Sequence, residues 1–199
     1  MIRPGILKVL PVMGILIIQA CDNDVPEDYS YLWSMEAEEE IASFGNDGTG
    51  AEFNLSSEVS LTGDRAVKVT PSGTSDQTNL DVLLHGDLLE EWIGASQMII
   101  NVYRPEQNTL NPTNFYLGMA DETDGWNWLD GIDWDEHDLK AGWNEVAFTL
   151  PESMSELNPE GEYRIYIMFE TFLPPVEDDV KMPLYEEFFI DGIRVNGEV

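Results

Sequence analysis

The sequence predicts an all-β chain folded as an antiparallel β-sandwich, and three observations carry that expectation. Apolar residues recur with period two in short runs such as Ala51–Leu55 and Ala66–Thr70, the pattern of strands with one buried face. Turn residues separate the runs, Thr62-Gly63-Asp64 among them. No stretch shows the 3.6-residue period of a long helix, and there is no internal repeat. About ten short strands in roughly 165 residues suit a sandwich.

In order along the chain, Asn79–Leu84 is the next strand after Ala66–Thr70. Gly86-Asp87, followed by Leu88, Leu89, Trp92 and Ile93, reads as a turn or two of helix. Met98–Tyr103 is strongly β-prone and stops at Arg104-Pro105. Phe115–Ala120 continues the series, and Trp126–Leu129 forms a hairpin with it across Asp124-Gly125. Trp143–Leu150 alternates and ends at Pro151, and Tyr163–Phe169 consists almost wholly of β-formers. Thr171–Tyr185, with three prolines and several acids, reads as a long surface loop before the closing strand Phe188–Val195.

Composition narrows the function classes. The 199 residues hold 39 acids against 9 basic residues, with 43% hydrophobic residues, enough apolar side chain for a core. A surface this negative repels nucleic acid, which needs clustered Lys and Arg. The charge itself reads as a solubility adaptation or as a cation-attracting surface.

Residues 1–20 begin with Arg3 and Lys8 and continue with the apolar run Val9–Ile18. That is the layout of a signal peptide, too short for a comfortable membrane span. The run ends Leu16-Ile17-Ile18-Gln19-Ala20-Cys21, which resembles the lipobox of bacterial lipoproteins, and Cys21 is the only cysteine. The resemblance implies acylation at Cys21, palmitate among the chains, and anchoring in the cell envelope facing away from the cytoplasm. Residues 21–31 then form an acidic tether, and 32–199 form the domain. Asp22 after the cysteine resembles an inner-membrane retention signal in some bacteria and an export mark in others, so the membrane stays open.

Four segments in the domain resemble the jelly-roll carbohydrate-binding modules attached to bacterial glycanases. They are Trp33-Ser-Met-Glu36, Leu61-Thr-Gly-Asp-Arg-Ala-Val-Lys-Val69, Ala141-Gly-Trp-Asn-Glu-Val-Ala-Phe148 and Phe189-Ile-Asp-Gly-Ile-Arg-Val195. The resemblance implies a sandwich of jelly-roll type, with Trp33–Glu36 as its opening strand. It also implies a structural calcium ion held by Glu36, Asp64 and Asp191, with Glu38, Glu39 or Glu40 as substitutes for Glu36. Calcium takes six to eight hard oxygens in flexible geometry, so such ligands would clamp the two chain ends together.

Four of the six tryptophans fall between Asp121 and Val146: Trp126, Trp128, Trp134 and Trp143. Glycan binding uses flat rings against the C–H face of a sugar, with a few polar groups for its hydroxyls. On a strand Trp126 and Trp128 share a face. Side by side, they either bind consecutive sugar units or pack into the core. Trp134, between Asp133 and Asp135, is a candidate loop wall, and Tyr116 and Tyr103 are further candidates. Trp143 reads as core or rim, and Trp33 and Trp92 as core.

No nucleophile elbow, zinc-protease helix motif, phosphate loop or dinucleotide fingerprint occurs. With 39 acids, any carboxylate pair can be picked out, so pairs carry no catalytic signal. His85 and His137 stand alone, and Asp130–Asp138 lacks EF-hand spacing. The expectation is a lipid-anchored, extracytoplasmic, non-catalytic binder of polysaccharide or oligosaccharide. The alternative is a structural or protein-interaction sandwich that binds no sugar.

Overall fold

The computed structural model describes residues 32–75, 77–106, 113–130, 132, 136–137, 139–170, 172–173, 182–183 and 186–197. The signal segment, Cys21, the tether, Asp133, Trp134, Asp135 and most of 171–185 lie outside the described residues.

Period-two segments become strands. In chain order they are β1 (Glu52–Ser56), β2 (Ala66–Thr70), β3 (Gln77–Leu84) and β4 (Ala95–Arg104). β5 (Thr113–Asp121), β6 (Asn127–Trp128), β7 (Glu136–His137) and β8 (Gly142–Thr149) follow. The last are β9 (Tyr163–Glu170), β10 (Phe172–Leu173), β11 (Met182–Pro183) and β12 (Phe188–Gly197). Of the two four-residue helices among the described residues, α1 (Glu38–Ile41) precedes β1 and α2 (Asp87–Glu90) joins β3 to β4.

Among the described residues all pairings are antiparallel, and every strand except the small β10–β11 pair belongs to one of two sheets that face each other. One runs β1-β2-β12-β4-β8 and the other β3-β9-β5-β6, with β7 paired to the start of β5. We call them the β12 sheet and the β9 sheet. Alternation directs Val67, Val69, Met98, Ile100, Val102, Val146, Phe148 and Ile190 inward from the first. Leu80, Val82, Leu84, Leu117, Met119, Ile165, Ile167 and Phe169 meet them from the second. Trp33 and Trp92 also lie in this core. The architecture is the expected antiparallel sandwich.

A bulge in β12 sets up its special features. Asp191 pairs with Asn101 and Ile193 with Ile100, so Gly192, at φ +59°, is the extra residue. The insertion returns Ile193 to the core side, where simple alternation would point it outward.

The opening segment differs from the expected strand. Trp33 makes one antiparallel bridge, to Ile193, after which the chain turns through Met35 at φ +63°. Glu40 fixes this turn by accepting from Ser34 N, Ser34 Oγ and Glu36 N at 2.8 Å each, and from Ala37 N at 3.1 Å. Burial works against the Glu40 anion, yet these hydrogen bonds from Ser34, Ala37 and Glu36 hold its carboxyl below the usual range. Glu40 is thus a local clasp.

Two other expectations shift. The β5–β6 hairpin forms, but Glu122–Trp126 connect it, rather than a two-residue Asp124-Gly125 turn. The predicted loop after Glu170 contains a small ladder, Phe172 opposite Pro183 and Leu173 opposite Met182.

Candidate carbohydrate-binding face

In an antiparallel ladder, cross-strand partners share a face. Leu80 pairs with Ile167 and Val82 with Ile165 on the core side of the β9 sheet. Hence Asn79, Asp81, Arg164, Tyr166, Met168, Tyr116, Gly118 and Ala120 face outward. Trp128, opposite Ala120, joins them from β6.

This outer face carries an aromatic cluster. Trp126 and Trp128 are 50% and 52% exposed, the exposed large hydrophobics among the described residues. Their ring centroids are 5.5 Å apart at 85°. The Tyr166 ring lies 5.5 Å from Trp126 and 5.2 Å from Trp128, tilted to both. Tyr166 itself is buried beneath them, and that burial pushes its hydroxyl well above the ordinary tyrosine pKa. Tyr116 packs beside it against Ala120 and Met168.

Charged groups flank the rings. The Arg164 guanidinium forks onto Glu122, with Nε donating to Oε1 at 2.8 Å and Nη2 to Oε2 at 3.4 Å. Nη1 donates to Asp81 Oδ2 at 2.7 Å. Bonding to Glu122, and then to Asp81, raises the Arg164 pKa further, so the cation is permanent. Asp81 Oδ1 accepts from Asp47 N at 2.8 Å. The chain at Gly45 runs so close that a Cβ there would fall 2.5 Å from Asp81 Oδ1. The carboxylates are therefore fixed in position, with rigid acceptors and a donor fork next to half-open indoles. Such a face suits a ligand with apolar flat sides and hydroxyl edges.

The structure corrects one part of the tryptophan expectation. Trp126 and Trp128 share the open face and leave the core, but they meet edge to face rather than side by side. Perpendicular indoles do not form one flat platform under consecutive sugars, since when one lies flat the other stands as a wall.

The remaining candidates lie elsewhere. Trp143 is partly buried on the outer face of the β12 sheet, its ring 5.3 Å from that of Tyr103. It is rim on the opposite side of the sandwich. Trp134 lies outside the described residues.

The calcium candidates come together only in part. Asp191 is fully buried, its Oδ2 accepting from Leu61 N at 2.7 Å and Thr62 N at 3.0 Å. Glu36 Oε1 accepts from Asp64 N at 3.0 Å and Arg65 N at 3.3 Å. Both carboxylates thus meet residues 61–65, where Gly63 leaves room that a Cβ would deny to Glu36. Burial pushes Asp191 up to about 6, the N–H bonds from Thr62 and Leu61 oppose this, and the Glu36 charge adds to the rise. Asp64 is exposed and contributes its main-chain N–H, not its carboxylate. No cluster of three or more His, Cys, Asp or Glu able to hold a metal occurs among the described residues.

Arg164, Tyr166, Asp81 and Glu122 were not singled out from sequence. Alternation within Tyr163–Phe169 and Asn79–Leu84 would have separated Arg164, Tyr166 and Asp81 from the core set. Which strands stand side by side was not readable.

Known structures agree with this fold. A carbohydrate-binding module of the β-sandwich superfamily is 17% identical, with a TM-score of 0.52 over 78% of this chain and 58% of that one. A family 22 xylan-binding domain gives 15% identity and 0.52 over 86% and 99%. The C-terminal family 22 module of Clostridium thermocellum Xyn10B gives 16% and 0.52 over 87% and 99%. The chain has the β-sandwich fold of carbohydrate-binding modules. An exo-β-agarase shares it at 10% identity and a TM-score of 0.55, over 86% of this chain and 25% of the enzyme. No family model and no curated protein sequence matches the chain.

Proposed function

We propose that this protein captures a polysaccharide chain on the outer face of the β9 sheet without cleaving it. The observation that carries the reading is the half-exposed pair Trp126 and Trp128, seated on Tyr166 beside the Arg164–Asp81–Glu122 network. Desolvating large apolar rings stabilises a fold only when they are covered. Two indoles held half open by fixed neighbours are therefore better explained by a ligand than by folding. One indole stacks on a pyranose ring and the other flanks it, while Glu122 and Arg164 meet the hydroxyls and buried Asp81 holds Arg164 in place.

Binding without cleavage is supported by the fold it shares, at 15–17% identity, with three structures of carbohydrate-binding modules. Cys21 would hold the domain at the envelope through its lipid, with residues 21–31 as the spacer. Labelling with a palmitate analogue, lost in Cys21→Ser, tests the anchor. Calcium would be held by Glu36 and Asp191, completed by main-chain oxygens of the 61–65 turn, and would neutralise two neighbouring carboxylates.

The binding test is affinity electrophoresis of the detergent-purified protein in gels holding xylan, mannan, mixed-linkage β-glucan or agarose. Retardation in at least one gel is expected. Unretarded migration in all four, and no signal on a broad glycan array, would sink the reading.

A further inference from the structure

We infer that Gly118 is a positioning residue for the aromatic site: its missing side chain lets Trp128 settle against β5, and so sets the angle between the two indoles. This rests on the glycan-binding reading above. Gly118 sits in mid-strand, directly opposite Tyr166 and flanked on the same face by Tyr116 and Ala120. Its backbone does not need glycine, since it is absent from the residues with positive φ. Glycine in a strand interior weakens the strand and marks a close approach.

Here the approaching group is Trp128. A Cβ on Gly118 would stand 2.8 Å from Trp128 Cζ3 and 3.3 Å from Met168 Cε. The methionine end can swing aside, but the indole is a rigid plate already in contact with Trp126 and Tyr166. A methyl group at 118 therefore lifts or turns Trp128 and breaks its fit to both rings. Gly118 would act on the ligand only through Trp128.

The test is Gly118→Ala in the full chain, with two readouts. One is retardation in the four polysaccharide gels. The other is the exciton couplet in circular dichroism that closely coupled indoles produce, which needs no ligand. Gly118→Ala is expected to weaken binding about tenfold and to diminish or invert the couplet. In a Trp128→Ala background, the same alanine should change neither readout. Wild-type binding with an unchanged couplet overturns the inference, and so do effects of Gly118→Ala and Trp128→Ala that simply add. Should Gly118→Ala fail to fold, Gly118→Ala/Trp128→Ala must recover a cooperative transition, and failure to recover it also overturns the inference. If the wild type binds none of the four polysaccharides, the glycan reading is lost, and the couplet alone decides the role of Gly118.

Discussion

The two outer faces of the sandwich are built from similar parts and end in different states. On the β12 sheet, Lys68 bridges Glu58 at 3.2 Å and Glu187 at 2.8 Å, and sits 5.9 Å from the Phe189 ring centroid. Phe189, Tyr103 and Trp143 then follow as cross-strand partners over β12, β4 and β8. On the β9 sheet, Arg164 bridges Asp81 and Glu122 beside Tyr166, Trp128 and Trp126. Each grouping thus has one cation, two acids and three rings, with the Arg194–Glu145 bridge (2.8 Å) further along the β12 face and Tyr116 beside Tyr166 on the other. The acids around Lys68 are 62% and 46% exposed, whereas those around Arg164 are 7% and 21% exposed. The first arrangement is a solvated ion pair beside partly covered rings. The second is a desolvated fork, which holds its acceptors fixed while the tryptophans stay open. Counting aromatic residues would not tell the faces apart. Burial of the polar groups around the rings does.

The largest effect that would sharpen this contrast is expected from Arg164→Met. It leaves the nearly buried Asp81 carboxylate without its cation and should lower unfolding stability by about 2 kcal/mol, less than for a fully buried pair because Arg164 keeps some water contact. A urea titration checks it, and an unchanged midpoint would mean that Asp81 is solvated after all. Chelation is expected next in size. If calcium bridges Glu36 and Asp191, excess EGTA should lower the thermal midpoint by about 3–6 °C, and Asp191→Asn should abolish that response. A midpoint indifferent to chelator and to added calcium removes the ion from the account.

The closed face should respond more weakly. Trp143→Ala should reduce stability by about 1 kcal/mol, through its lost edge contact with Tyr103, and leave glycan retardation as it was. Loss of retardation would move the site to the wrong sheet. Lys68→Met should give the smallest shift, visible only at low salt, because its partners already sit in water. A stability loss matching that of Arg164→Met would erase the distinction between the faces.

What the sequence made legible follows from how local each signal is. Alternation is read within a few residues, so Ala66–Thr70, Met98–Tyr103 and Tyr163–Phe169 were visible as strands. The shared face of Trp126 and Trp128 was visible for the same reason. Whether that face was inner or outer was not, because it depends on β6 pairing with Ala120 at the edge of the β9 sheet. The Arg164–Asp81 contact joins residues 83 positions apart, and no local pattern encodes it. The opening segment misled for a related reason. Its geometry is dictated by one bridge to the β12 bulge and by the clasp of Glu40, neither of which alternation records. The contact of Asp64 with Glu36 through its main-chain N–H was equally hidden, because a turn residue can serve through its backbone while its side chain points to water.

Whether Trp126 and Trp128 are open for a ligand or packed for stability is decided by one paired measurement. Trp126→Ala and Trp128→Ala, singly and together, are run through the polysaccharide gels and through calorimetry beside the wild type. Retardation is expected to collapse in the double variant, while its thermal midpoint stays within a few degrees of the wild type, since half-exposed rings contribute only part of their area to folding. Retained binding, or a collapse of the thermal midpoint like that from deleting a core aromatic, would contradict it.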